Sequence, residues 1–292
     1  MKEIAILTAT YNHPARLAEL YASLCAQEDR DFTWIAVDDG SRADTEALIE
    51  SFVREGRLDM IAVRQENGGK SKAVNNGLDH LTPEARAVVI VDDDETLRPD
   101  AVATVRRYLD RYADEGCGVI HFNRMNEKGE VIADPAIDED FFMSYQEFKS
   151  RGRWADGYIC YLTGALGSER FHIYEGEKYI APSSLFMRVT EHSRLLWAAA
   201  VLGDTEYLEG GITKQGRRLR VRNPRGMIEY CGLMQRGGAG LKTRAAYSVQ
   251  AYAYREFLTD RASADMSPFM SGAKLPGRLL AAHWKRKFAK QG

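Results

Sequence analysis

Three adjacent aspartates and a glutamate, Asp92-Asp93-Asp94-Glu95, close the most strand-like apolar run of the chain, Ala87-Val88-Val89-Ile90-Val91. Like charges this close repel one another, and ending a buried strand with them costs stability unless a cation or hydrogen-bond donors offset it. A hard divalent ion is the natural partner. Mg²⁺ or Mn²⁺ takes one or two carboxylates and fills its shell with water and diphosphate oxygens, which suits a nucleotide leaving group that must lose charge repulsion as it departs. The plain alternative is a solvated turn, because Asp is common in turns. Two more polar clusters, Thr10-Tyr11-Asn12 and Asp38-Asp39-Gly40-Ser41, follow apolar runs in the same manner. Between them and the aspartates lies Asn67-Gly68-Gly69-Lys70-Ser71-Lys72, a glycine-rich turn whose backbone N–H groups and lysines can face a phosphate. It is not the GxxxxGK[ST] loop, and no GxGxxG follows the first strand, which argues against a dinucleotide-dependent dehydrogenase.

Positioning these clusters requires strands and helices in alternation, and the first hundred residues read that way. Strands are predicted over residues 4–9, 34–37, 60–64 and 87–91, and helices over 14–27, from Asp44 through Val53, and over 71–81. Asp44 and Asp100 are placed as N-caps, and Pro14 suits a first turn. Each chemical cluster follows a predicted parallel strand. All three therefore share the carboxyl edge of one sheet, the edge where open α/β sheets bind ligands. Further along, residues 117–123 read as extended, 127–130 as a hairpin turn and 141–148 as ambiguous, while helices are expected over 183–202, 245–258 and from Pro276 onward.

With 292 residues, 45% apolar and 28% charged, the composition is that of a globular chain and excludes disorder and collagen. The longest nearly uninterrupted apolar stretch, 195–202, is far short of the ~20 residues that cross a bilayer. Met1-Lys2-Glu3 leads directly into a strand without the features of a cleavable leader, so a cytoplasmic location is expected. Cys25, Cys117, Cys160 and Cys231 form no CxxC pair and read as reduced thiols. The net charge of −2 hides an asymmetry: beyond Gly210, 17 Lys and Arg face 4 Asp and Glu, a surplus of 13, which leaves −15 for the first 210 residues. Such a split suggests an acidic catalytic half and a basic surface that meets something anionic.

Taken in order, Thr8-Ala9-Thr10-Tyr11-Asn12, residues 34–41, Asn67-Gly68-Gly69-Lys70 with Ala73 and Asn75, and residues 91–94 resemble the signature of glycosyltransferase family 2, inverting enzymes of the GT-A fold. The resemblance implies an α/β, Rossmann-like, mostly parallel central sheet flanked by helices, with a C-terminal helical extension. Residues 1–235 would form the transferase domain, 1–100 binding the nucleotide sugar and 101–235 serving the acceptor, and 236–292 would form the basic extension. Thr8, Thr10 and Asp39 would then contact base and ribose, with Tyr11 beside them, and Lys70 would lie near the base or diphosphate. Asp92 and Asp94, on either side of Asp93, would form the DxD pair, Asp94 being the principal ligand of Mn²⁺ or Mg²⁺. Val74 departs from the pattern, since many members carry Arg there.

The implied activity is transfer of a sugar from a nucleoside diphosphate donor, foremost a UDP-sugar, to a saccharide or polyprenyl-diphosphate-linked saccharide in cell-surface polysaccharide assembly. A nucleotidyltransferase, or a sugar-nucleotide-binding protein of the same fold without activity, is the alternative. Gly176-Glu177-Lys178-Tyr179, residues 206–212 and residues 222–226 also resemble a bacterial subgroup of the family. Many relatives place Glu-Asp where Glu177-Lys178 stands here. An inverting transfer needs one carboxylate to take the acceptor hydroxyl's proton. Glu177 is the first choice, with Asp156, Asp204 and Glu206 as rivals, and any single one of these is more often a cap or a surface charge than the base. Trp154, Tyr158, Tyr161 and Tyr179 either stack on sugars or, as is more common, pack the core. His13 and His121 are assigned to no metal.

The last helix places Leu280, Trp284 and Phe288 on one face beside Arg278, Lys285, Arg286, Lys287 and Lys290. That is the description either of an interfacial helix on the inner face of an anionic membrane or of a packed helix with a solvated basic side. Lys214, Arg217, Arg218, Arg220, Arg222 and Arg225 form a second basic cluster, without a nucleic-acid motif to accompany it.

Overall fold

Strand β1 (Ile4–Thr10) is apolar on both faces and almost wholly buried, as a strand covered by helices above and below must be. It pairs in parallel with β2 (Phe32–Asp38) on one side and β4 (Ala87–Ile90) on the other, and β2 pairs in parallel with β3 (Asp59–Arg64). The computed structural model describes residues 2–205 and 212–289, the side chains of 212–215 and 289 excepted. Helices α1 (Pro14–Cys25), α2 (Ala43–Glu55) and α3 (Lys70–Leu78) make the crossovers. Pro14 opens α1 as expected. The N-cap of α2 is Arg42 rather than Asp44, whose carboxylate instead accepts from Thr45 N in the first turn at 2.8 Å. Asp100 does precede α4 (Ala101–Tyr112), though without a side-chain cap bond.

The remaining strands are β5 (Glu95–Leu97), β6 (Cys117–Met125), β7 (Ala133–Asp134), β8 (Phe141–Phe142), β9 (Trp154–Ala155), β10 (Gly157–Leu162) and β11 (Arg194–Thr205). The main sheet runs β3-β2-β1-β4-β10-β6-β11-β5, with β8 on β11, while β7 and β9 pair separately. From the pairings, β1, β2, β3, β4, β6 and β11 point one way and β5, β8 and β10 the other. This is the mostly parallel α/β sheet expected from the sequence.

The long helix expected over 183–202 is absent: α7 (Ser183–Val189) is followed by strand β11, which pairs in parallel with β6. The run Leu195-Leu196-Trp197-Ala198 is buried on both faces, and a continuous apolar run carries no period to separate a buried strand from a buried helix.

The other helices are α5 (Tyr145–Ser150), α6 (Thr163–Leu166), α8 (Ile212–Val221), α9 (Pro224–Leu233), α10 (Leu241–Arg255) and α11 (Lys274–Ala289). By contacts the chain forms two compact units, the first from residues 1–143, 154–170 and 189–207, the second from 144–153, 171–188 and 208–292. The first holds the sheet. The second has its own core, in which Met227, Ile228 and Cys231 of α9 meet Ala251, Tyr252 and Tyr254 of α10 and Ala281 and Trp284 of α11. Trp284 is 1% exposed, and Leu280 and Phe288 pack against the same cluster. The stripe that the sequence offered as a membrane face is therefore core. No described helix is long and apolar enough to cross a membrane, and the four cysteines are free and buried.

Candidate active site

Strands β1, β2 and β4 run in parallel, so their carboxyl ends deliver the three polar clusters to one edge, and hydrogen bonds tie the clusters together there. After β1, Thr10 Oγ1 donates to Asp93 Oδ2 at 2.6 Å, and His13 Nδ1 lies 3.3 Å from the other Asp93 oxygen. Asn12, in the left-handed region at φ 59°, donates its N–H to Ser41 Oγ at 3.0 Å and accepts from Arg42 N at 2.8 Å. After β2, Asp38 accepts from Ser41 N at 2.8 Å and pairs with Arg64 at 2.7 Å.

Asp39 is 3% exposed and holds the glycine-rich turn. Its carboxylate accepts from Gln65 Nε2 at 2.7 Å, from Asn67 Nδ2 at 3.1 Å, and from Gly68 N and Gly69 N at 2.8 Å each. Gly40 makes this approach possible. Its φ is 77°, and a Cβ there would stand 2.8 Å from Asn67 N. Gly69, at φ 90°, then starts α3 and aims Lys70 at Asp92. Thr8, by contrast, is wholly buried and accepts from the Trp34 indole at 3.2 Å, so its hydroxyl faces the core rather than the edge. Tyr11 is 47% exposed beside the clusters.

The aspartate turn is electrostatically uneven. Burial works against the charges of Lys70 and Asp92, but their mutual attraction outweighs it, so Lys70 titrates above and Asp92 below its ordinary value. The hydrogen bond to Asp93 raises the His13 imidazole. Asp94 shifts up, chiefly by burial and then by the charges of Asp92 and Asp93, and no other described residue donates a hydrogen bond to its side chain. Among the described residues no group of three or more His, Cys, Asp or Glu is assembled to hold an ion. A divalent cation of the Mg²⁺ or Mn²⁺ type nevertheless fits this edge. It needs only one or two carboxylates beside diphosphate and water, and its charge would relieve the repulsion that lifts Asp94. Asp94 and Asp92 are the residues that would hold it.

Behind the turn lies a buried ion chain that the sequence did not reveal. Glu95 Oε2 accepts from Asp92 N at 3.1 Å, and Glu95 Oε1 pairs with Arg124, which also pairs with Asp156. Arg124 ends the apolar stretch of β6, and an arginine closing a buried strand was the available signal. The rival carboxylate Asp204 pairs with Arg98 at 3.2 Å and is half exposed. Tyr158 and Tyr161 are core residues, whereas Trp154 is 44% exposed.

In the second unit, Glu177 Oε1 accepts from Arg225 N at 2.7 Å and Oε2 from Gly226 N at 2.9 Å, so the carboxylate sits on the N-terminus of α9. Burial pushes its pKa up against these two bonds and the Arg225 charge. Asn223 Oδ1 fixes the same segment by accepting from Lys178 N and Tyr179 N at 2.9 and 3.1 Å. Glu206 and the rest of 206–211 lie outside the described residues, as do the Lys214 side chain and Lys290.

A central sheet of this order, with its polar clusters on the carboxyl edge, defines a GT-A fold, and solved structures share it. TarS of S. aureus in complex with UDP-GlcNAc superposes with a TM-score of 0.63 at 18% identity, covering 90% of this chain and 74% of that one. The mannosyltransferase PcManGT from Pyrobaculum calidifontis, in complex with GDP-Man and Mn²⁺, gives 0.60 at 19% identity over 99% of this chain and 80% of that one. Glucosyl-3-phosphoglycerate synthase from Mycobacterium tuberculosis, in complex with Mn²⁺, UDP and phosphoglyceric acid, gives 0.53 at 15% over 82% and 80%. The chain belongs to glycosyl transferase family 2, whose family model matches residues 5–174. A curated relative, the succinoglycan biosynthesis protein ExoW of Rhizobium meliloti (strain 1021), is 28% identical over 118 residues, which is 40% of this chain and 37% of that protein.

Proposed function

We propose that the protein is a metal-dependent inverting glycosyltransferase that moves a sugar from a nucleoside diphosphate donor, foremost a UDP-sugar, to a saccharide or polyprenyl-diphosphate-linked saccharide in cell-surface polysaccharide assembly. Residues 1–100 take the donor and 101–235 the acceptor, 236–292 are a basic extension, and the reaction runs on the cytoplasmic side. The observation that carries this reading is the single hydrogen-bonded edge on which Asp39 clamps the Asn67–Gly69 turn while Lys70 meets Asp92. The family membership supports it, as do related folds that hold UDP-GlcNAc, UDP or GDP-Man, two of them with Mn²⁺.

Thr10, Tyr11 and the Asp39 turn receive the nucleotide, with Lys70 toward the diphosphate. Asp94 and Asp92 would hold a Mn²⁺ or Mg²⁺ ion, which would supply positive charge against the diphosphate leaving group. Glu177 takes the acceptor hydroxyl's proton as that oxygen bonds to the sugar's C1, opposite the breaking C1–O bond to the nucleoside diphosphate. Of the described candidates, Asp156 and Asp204 are paired with arginines, whereas Glu177 faces two backbone amides and burial raises its pKa. The test is calorimetry with UDP and Mn²⁺ followed by a screen of nucleotide sugars for metal-dependent hydrolysis. Asp94→Ala is expected to abolish both with the fold intact. Full activity in that variant overturns the metal assignment, and binding without hydrolysis or transfer marks a sugar-nucleotide-binding protein instead.

A further inference from the structure

Helix α11 has two faces of opposite character. Gly277, Ala281 and Trp284 turn inward, and a Cβ on Gly277 would stand 2.8 Å from Val249 O of α10, so this face is closed against its neighbour. At 100° per residue, Leu275 and Leu279 lie roughly 180° and roughly 140° around the helix from Trp284. They are 67% and 64% exposed, one turn apart. Lys274, Arg278, Lys285 and Arg286 fall on the same outward side of the helix and Lys287 at its margin, and all five are exposed. Among the described residues the acid that touches this side is Glu256, 3.5 Å from Arg278 Nε through its carboxylate and bonded at 3.0 Å to Lys285 Nζ through its backbone oxygen.

A lone exposed leucine is ordinary, but two at i and i+4 flanked by five cations form the pattern of a helix lying in a membrane interface. A second copy of this chain is a poor occupant, because the five cations of one copy would confront the five of the other. A nucleic-acid backbone gives the leucines nothing to bury against. An anionic bilayer satisfies both: acyl-chain boundary for the leucines, lipid phosphates for the lysines and arginines. We infer that α11 docks the protein on an anionic phospholipid surface, with Leu275 and Leu279 entering the headgroup region. The docking face is thus the side of the helix opposite Leu280, Trp284 and Phe288, and its binding is read without any sugar substrate.

The experiment is co-sedimentation of the full chain with vesicles of phosphatidylcholine alone and of phosphatidylcholine mixed with phosphatidylglycerol. Binding is expected only with phosphatidylglycerol and weakens as salt is raised. Leu275→Gln with Leu279→Gln should lower the partition coefficient about tenfold. Lys285→Gln with Lys287→Gln should lower it about 25-fold at low salt, each charge near an anionic surface counting for roughly fivefold. An unchanged circular dichroism melt certifies that the variants are folded. The inference fails if the protein ignores the vesicles, binds both compositions equally, or keeps its partition in the leucine variant. It fails equally if sedimentation velocity shows a dimer that the leucine variant dissociates, which would assign this face to a second copy.

Discussion

The Asp92 amide donates to Glu95 Oε2 at 3.1 Å, so the first aspartate of the acidic turn is fixed from behind by a side chain three residues further on. Glu95 is 5% exposed, and its other oxygen is paired with Arg124, which also serves Asp156. Removing the arginine leaves a buried carboxylate without its cation, which is far more costly than never having had the pair. Arg124→Met should therefore lower stability by about 3–5 kcal/mol in urea unfolding. Adding Glu95→Gln should restore part of that loss, because the uncompensated charge is then gone. A single variant as stable as the parent would mean that solvent reaches Glu95.

Asp39 presents a second case in which one carboxylate organises a loop. Its oxygens satisfy the Gly68 and Gly69 N–H groups as well as Gln65 and Asn67. Asn in its place offers one acceptor oxygen and turns an NH₂ group toward N–H donors. Asp39→Asn should cost about 2–3 kcal/mol, the range for losing charge-assisted hydrogen bonds at a buried site. If the turn helps to bind the nucleotide, UDP affinity falls in the same variant while its far-UV spectrum does not change. Retained affinity would separate the turn from the donor site.

How much of this was legible in the sequence depends on whether a residue's role is local. Thr10, Asp38, Asp39 and Asp92 to Asp94 fall on one edge from the sequence alone because apolar runs ending in polar clusters, repeated three times, admit few arrangements other than a parallel sheet. Strand β11 was misread because 195–202 is apolar at every position and carries neither a period of 2 nor one of 3.6. Arg124 was passed over because its partners, Glu95 and Asp156, stand 29 and 32 positions away in opposite directions along the chain. The last helix shows a third kind of failure. Leu280, Trp284 and Phe288 form a true amphipathic stripe, but a stripe says only that something covers it, and here α10 does.

Glu177 has two descriptions that kinetics can tell apart. As an acceptor of the Arg225 and Gly226 amides it stabilises the start of α9, and its loss in Glu177→Ala should cost about 1 kcal/mol. As the base it would also control turnover. Glu177→Gln should then slow transfer by about 10²–10⁴-fold, with donor affinity unchanged. A variant destabilised by the first amount, yet transferring sugar at the parent rate, would leave Glu177 with the structural role alone.

His121 sets an acid limit on the fold. It stands on β6 between the Trp197 ring, 4.7 Å away, and Gly157, where a Cβ would meet the imidazole, and it is 5% exposed, with no partner for Nδ1 among the described residues. Burial lowers its pKa from 6.5 to about 4, only partly opposed by the charge of Asp156. Above pH 6.5 the ring is neutral in both the folded and the unfolded chain, and it contributes no pH dependence. Between 6.5 and 4 the unfolded chain holds a proton that the folded one refuses, so stability present above the unfolded value is lost as pH falls through that window, by about 3 kcal/mol at the lower end. Urea midpoints taken along this range should decline more steeply for the parent than for His121→Gln, which cannot take up the proton. Parallel curves would show that the imidazole is charged inside the folded protein and that its neighbours accommodate it.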